Sequence, residues 1–461
     1  MSWYDNAVFY YIHPLSLCGC EHESIETKGS HFDKLAEWAK HAKDMGCNAI
    51  FIGPVFTTEA HGYGINDYYK IDQRLGTNED FKSWVAGCHK LGMHVVADCS
   101  FNHVGRGFFA FLQLKKDKRK SSYKEWFSDV NFFRDNTYGD GLCYENWGGY
   151  DQLVKINLLN PWVVDYFLDV VRFWINELGI DGLRINAVDE MDYDFIKEVR
   201  KTAEREKLDF FLMGDFFGLS YTHWVNDKML HSAANNELQK ALIFAHNDCG
   251  YPVVAKTLRD MNEQCPQARL YTFVDNYDVS HIYEKLNKPE HRYLVSLLQY
   301  TVPGIPSLYN GSEFSFRKIK KAESEESEEA LRLADYKNAY LFDEITHLHC
   351  LLGRIRQQFP VLSQGCYKEL LLADDQFAFA MVLDKSAMIT VVNNENRMVR
   401  VEIPLPIHAK KAIDMLEAVI DWNKEPKESL DISKCREFSV KDNELLLELP
   451  ANGGSLILVT A

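Results

Sequence analysis

A chain of 461 residues with 46% hydrophobic side chains can bury one large core and leave a smaller second domain beside it. Its formal charge of −16 excludes a nucleic-acid backbone or an anionic membrane as the main partner, because both need clustered lysine and arginine. The 11 cysteines, odd in number and mostly set in apolar segments, read as reduced thiols and point to the cytoplasm.

The N-terminal stretch MSWYDNAVFYYIHPLSLCGC lacks a basic leader. Its apolar run carries a histidine and a proline, so it reads as a strand and not as a signal peptide. No apolar stretch approaches the length needed to cross a bilayer. Cys18, Cys20 and His22 form a single cluster without a partner set, and no metal is assigned to them.

Next comes SHFDKLAEWAKHAKDMG, with Ser30 as a cap, apolar Phe32, Leu35, Ala39, Ala42 and Met45 at helical spacing, and Gly46 as the stop. The strand-like CNAIFIGPVF follows at once. The same order returns in NEDFKSWVAGCHKLG followed by MHVVADCS, and in PWVVDYFLDVVRFWINELG followed by IDGLRIN. Helix, glycine and strand repeated in one direction imply a parallel sheet, and strands apolar throughout imply cover on both faces.

Further strands are expected in VFYYIHPL, DFFLMGD, LYTFVDN and IPSLYNG. Polar groups stand at or beyond several strand ends: Asp98, Arg184 with Asn186, Asp215 and Asp278. An open sheet would gather its ligand groups at one switch point, whereas an eight-fold α/β barrel collects them from many carboxyl ends. The second pattern fits. Arg184 and Asn186 are two apart and should share a face, with no carboxylate between them.

The charge-rich FRKIKKAESEESEEALRLADYK then reads as a solvated loop and helix. Beyond Gly365 alternation replaces the helical period, as in Val399, Val401 and Ile403 against Arg400 and Glu402. ELLLELPANGGSLILV suggests a hairpin turning at Asn452 to Gly454. The expected organisation is a barrel over 1–364, with a small excursion at about 105–159, and a C-terminal antiparallel β-sandwich over 365–461.

HGYGINDYYKIDQRLGTNEDF, VVADCSFNHVGRGFFAF, LVKINLLNP, GIDGLRINAVDEMDYDF, LMGDFFG, TFVDNYDVSHI and PGIPSLYNGSE occur in the order and spacing of the α-amylase family of glycoside hydrolases. The chain most resembles its maltogenic amylase, neopullulanase and cyclomaltodextrinase-like members. The resemblance implies a (β/α)8 TIM barrel with an excursion after the third strand, and α-glucan oligosaccharides as ligands. It also implies retaining chemistry, with a carboxylate nucleophile on the fourth strand, a glutamic acid on the fifth and a supporting aspartate after the seventh. That route needs two carboxyl groups about 5–5.5 Å apart, one ionised and one protonated.

The catalytic positions depart from that pattern. Asn186 stands at the nucleophile's place, Asp215 at the general acid's, and Asp278 is retained. Tyr277 replaces a histidine, and His281 stands where near relatives have arginine. An amide oxygen is neutral and forms no ordinary glycosyl ester. His61 and Tyr63 match the family's polar contact and aromatic platform for the sugar, with Asp98, Asn102 and His103 behind them and Arg184 beside the nucleophile position. Asp98 is a candidate partner of Arg184, which is expected to face Asp98, Asp215 or Asp278, and Asn186 could accept one of the arginine's hydrogen bonds.

Asp189, Glu190 and Asp192 read as a solvated helix start, and Trp147 as a cleft or loop residue. Asn102 matches a calcium ligand of many members, but Lys155 replaces an aspartate, so no metal and no cofactor is assigned. These residues describe a glucan-binding protein whose hydrolysis is lost or strongly impaired. Two alternatives keep an active enzyme: Asn186 introduced as a substrate trap, or Asp215 and Asp278 activating water, which needs carboxyl groups about 6.5–9.5 Å apart. A third is a non-catalytic interaction protein on the same fold.

Overall fold

The computed structural model describes residues 2–20, 29–58, 63–216, 221–266, 268–277, 282–314, 343–409 and 411–461. The apolar runs form β1 (Phe9–Ile12), β2 (Ala49–Ile52), β3 (His94–Ser100), β4 (Gly182–Asn186), β5 (Phe211–Asp215), β6 (Ser232–Ala233), β7 (Tyr271–Thr272) and β8 (Ile305–Tyr309). They make one eight-stranded parallel sheet in which β1 pairs with both β2 and β8. A parallel bridge from Ala234 to Tyr271 joins its two edges, so the sheet closes into a (β/α)8 barrel. β6 was not foreseen.

Alternation along the strands divides the apolar side chains into two cores. Phe9, Tyr11, Phe51, Val96, Phe211, Met213 and Tyr271 fill the barrel. Tyr10, Ile50, Val95, Leu183, Ile185 and Leu212 point outward to the helices. Among the latter, α1 (Phe32–Asp44) buries Leu35, Trp38, Ala39 and Ala42, and α2 (Asn78–Lys90) starts from a capping box of Thr77 and Asp80. The cap of α1 is His31, while the Ser30 hydroxyl accepts from the Phe32 N–H just outside it. Gly46 ends the segment at φ 84°, where an added Cβ would lie 2.9 Å from the Arg354 nitrogen.

The excursion after β3 carries α3 (Phe109–Asp117) and a three-stranded sheet of His103–Val104, Asn146–Trp147 and Tyr150–Lys155. It returns to the barrel through α4 (Pro161–Phe173), capped by the Asn160 side chain. Helix α5 (Tyr193–Glu206) begins at Asp192, whose carboxylate accepts from the Asp194 and Phe195 N–H groups, so the expected helix start is present.

The C-terminal region contains β9 (Cys366–Leu372), β10 (Gln376–Leu383), β11 (Ser386–Asn393), β12 (Val399–Pro404), β13 (Lys411–Asp414), β14 (Glu437–Phe438), β15 (Glu444–Leu449) and β16 (Gly454–Thr460). Six form a sheet in the order β9-β10-β11-β16-β13-β14, and β12 pairs with β15. Ala378, Ala380, Ile389, Ile403, Leu445, Leu447 and Ile457 share the core between them. Phe377, Phe379, Met381 and Met388 belong to the core that also contains the barrel helices.

The expected hairpin between β15 and β16 is absent, because the two strands lie in different sheets. Pro450 has no N–H with which to extend the ladder. Asn452, at φ 50°, donates its N–H to the Glu395 carbonyl as the chain crosses between sheets. The charge-rich segment after Phe314 and His22 lie outside the described residues. Among the described residues, no helix is long and apolar enough to cross a membrane.

Phe379 is fully buried at the face joining the C-terminal sheet to the barrel helices. Truncation to alanine should cost about 3–5 kcal/mol, read as a lower urea midpoint with an unchanged slope.

Candidate functional site

Arg184 and Asn186 point the same way from β4, at the carboxyl end of the barrel. In register, Arg184 lies between Asp98 of β3 and Met213 of β5, and Asn186 lies between Ser100 and Asp215. Arg184 is buried, and its guanidinium bridges two strands. One terminal nitrogen donates to both Asp98 oxygens at 2.9 Å and to the Tyr63 hydroxyl at 3.3 Å. The other donates to Asp215 Oδ2. Burial opposes the arginine's charge, but the two carboxylates outweigh it and hold its pKa well above the ordinary value.

Asp98 fits this position because residue 53, just beyond β2, is glycine. A Cβ there would fall 2.0 Å from the Asp98 Cβ. The Tyr63 hydroxyl, 3.1 Å from Asp98 Oδ2, is tied to the same network. The expected partnership of Asp98 with Arg184 is therefore present.

Asn186 is half-buried, and none of the arginine's donors reaches it. The expectation that it accepts from Arg184 is corrected, because Asp98 and Asp215 offer charged acceptors that a neutral amide does not match. Asp215 has both oxygens occupied, Oδ2 by Arg184 and Oδ1 by the Asn236 side-chain amide at 3.2 Å. Asn236 also donates to the Phe216 carbonyl at 3.0 Å.

Around these groups, Tyr277 is half-buried and stacks on His13, with ring centroids 3.7 Å apart and planes 5° from parallel. His103 is fully buried, and its ring stacks against half-buried Trp147 at 5.2 Å. Trp147 therefore covers a histidine expected to meet ligand. Lys155 reaches Glu145 and Glu190, each at 3.0 Å, and so ties the excursion to the loop after β4. His61, Asp278 and His281 lie outside the described residues.

Below the strand ends, Tyr11, Phe51, Arg184, Met213, Asp215, Ala234, Tyr271, Phe273 and Asn276 surround a cavity of about 10 Å³. That volume suits one water and not a sugar ring.

His13 and Asn236 were missed in the sequence. His13 precedes Pro14 and caps the short helix Pro14–Cys18, its Nδ1 lying 2.6 Å from the Ser16 hydroxyl. That His-Pro-x-Ser order was a usable capping signal. Asn236 opens the helix Asn236–Phe244 in a run of asparagines, and nothing local marks its contact with β5.

A closed parallel barrel with polar groups at its carboxyl ends has the layout of barrel enzymes, whose sites are built at that face. Residues 33–343 match the family described as "Alpha amylase, catalytic domain", and the chain belongs to the alpha-amylase family. It is 27% identical to a cyclomaltodextrinase of Geobacillus thermopakistaniensis, over 82% of this chain and 63% of that protein. It is 24% identical to an intracellular maltogenic amylase of Bacillus subtilis, over 91% of this chain and 69% of the relative. The chain thus spans about two thirds of the length of these relatives. The ligand-free cyclic α-maltosyl-(1→6)-maltose hydrolase of Arthrobacter globiformis shares the fold, with TM-score 0.80, 20% identity and full coverage of both chains.

Two measurements follow from this geometry. Arg184→Ala leaves two inward carboxylates without their cation and should destabilise the fold by about 3–5 kcal/mol in urea unfolding. Burial also lowers the pKa of His13 to about 3 and of His103 to about 4, from 6.5. The unfolded chain then binds these protons first, so their stabilising contribution is complete above pH 6.5 and declines as pH falls towards those values. Each should steepen the loss by up to about 1.4 kcal/mol per pH unit, and His103→Phe should remove its share when urea midpoints at pH 7 and pH 5 are compared.

Proposed function

We propose that this alpha-amylase-family protein binds α-glucan oligosaccharides at the barrel mouth and has lost, or nearly lost, retaining glycoside hydrolysis. The observation that carries this reading is the Asp98–Arg184–Asp215 bridge, with an amide at position 186 above it. A glycosyl-enzyme ester needs a carboxylate where Asn186 stands. Protonation of the leaving oxygen needs an acid facing the sugar, and Asp215 turns its oxygens to Arg184 and Asn236 instead. Loss of a positioned acid alone typically costs about 100- to 10,000-fold.

The same contacts weigh against Asp215 as the acid or base of an inverting reaction. A trap made by one exchange accounts for Asn186 but not for the Arg184-bound Asp215 or the His13–Tyr277 stack. Support for a glucan ligand comes from the related cyclomaltodextrinase and maltogenic amylase, and from a similar fold solved with cyclic α-maltosyl-(1→6)-maltose.

Calorimetry with maltoheptaose should show binding by the unmodified chain, while reducing-sugar release stays at background. Asn186→Asp alone should leave hydrolysis at background, because Asp215 remains bound to Arg184. Asn186→Asp with Asp215→Glu and Tyr277→His should raise it by about 100-fold or more. Rapid turnover by the unmodified chain, or full recovery from Asn186→Asp alone, would overturn the impaired reading; absence of maltoheptaose binding would overturn the glucan reading.

A further inference from the structure

Lys115 to Lys120 hold five cations and one carboxylate in a chain whose net charge is −16. They occupy the end of α3 and the turn Lys118–Lys120 that follows it. Lysine near a helix C-terminus is ordinary, since the last carbonyls favour positive charge. That effect fades beyond the last turn, yet the cations continue into the next one. Lys116, Lys118, Arg119 and Lys120, with Asp117, Phe132 and Gly141, line an open depression of about 810 Å³.

The depression is built from held groups. Lys118 adopts φ 53°, ψ −127°, a strained backbone for a residue with a Cβ, and its ammonium donates to the Asp140 carbonyl. The Arg119 guanidinium lies 4.5 Å from the exposed Phe133 ring and 5.8 Å from that of Phe132. The Asp117 carboxylate accepts from the Gln113 amide. Among the described residues, none of Lys116, Lys118, Arg119 and Lys120 forms an ion pair with a carboxylate.

Like charges packed this closely repel, and an acidic chain has ample carboxylates with which to neutralise them. We propose that the depression is a binding site for a small phosphate-bearing anion, either inorganic or a sugar phosphate ester. Three features favour this class: a shallow open depression, adjacent cations on one turn, and an arginine guanidinium lying over an aromatic ring. A nucleic acid or membrane would need a basic stripe extending beyond this turn, against a long-range field that is negative overall. The site is independent of the chemistry at the barrel mouth.

The test uses the full chain and its Lys116→Gln/Lys120→Gln variant, with folding checked by circular dichroism. Calorimetry with inorganic pyrophosphate and with glucose 1-phosphate, at low and at physiological salt, should give saturable binding that weakens as salt rises. Loss of two close charges should weaken it about 30-fold, while maltoheptaose binding stays unchanged. Tighter binding of glucose 1-phosphate would assign the sugar ester, and tighter binding of pyrophosphate the inorganic anion. No saturable binding of either, equal affinity in the variant, or association only with phosphatidylserine vesicles or duplex DNA would overturn the proposal.

Discussion

A buried guanidinium held between carboxylates from two strands governs the carboxyl end of this barrel. Arg184 is removed from water at a desolvation cost of several kcal/mol, and only charged, well-aligned acceptors offset it. Asp98 and Asp215 supply them from either side of β4. The requirement spreads outward: Gly53 must lack a Cβ so that Asp98 can sit where it does, and the Tyr63 hydroxyl donates to the same Asp98 carboxylate. A planar five-donor fork suits this bridge, where a lysine would place a single point charge between two acceptors.

That bridge also sets the chemistry. A carboxylate drawn into an ion pair is a structural group, and its oxygens are directed inward towards donors of the chain. Position 186, opposite Asp215 in register, presents an amide. The observed hydrogen bonds commit both Asp215 oxygens to Arg184 and Asn236. The cavity beneath has room for about one water.

Much of this was legible in the sequence because it follows from local pattern. Continuous apolar strands after helix and glycine gave the parallel sheet, and the spread of polar strand ends favoured a barrel over an open sheet. The resemblance to the alpha-amylase family brought Asp98 to Arg184, with Asp215 and Asp278 as alternatives, and the structure pairs the arginine with both Asp98 and Asp215. What escaped notice depended on distant partners or on weak local signals. β6 has two residues, too few to show a period, and is placed by neighbouring backbone. The stack of His13 on Tyr277 joins the first strand's end to the seventh's. Asn186 was assigned an arginine contact that stronger acceptors took. The turn after Leu449 has hairpin composition, but Leu445, Leu447 and Leu449 meet Ile457 and Val459 across a sandwich, not along a sheet. Alternation states which face is buried and leaves open which sheet the strand joins.

The mouth of the barrel is also braced by contacts outside the Asp98–Arg184–Asp215 bridge. Lys155 spans Glu145 on the excursion and Glu190 after β4, but both acidic partners are substantially exposed, at 41% and 49%. Such pairs add little stability, about 0–1 kcal/mol, so their contribution is mainly to register. The larger energetic terms are apolar: the His103 ring buried under Trp147, and the Tyr277 ring laid flat on His13. None of these contacts involves Asn186 or Asp215. Neither stack is formed by Asn186, so the proposed loss of hydrolysis leaves these supports of the mouth in place.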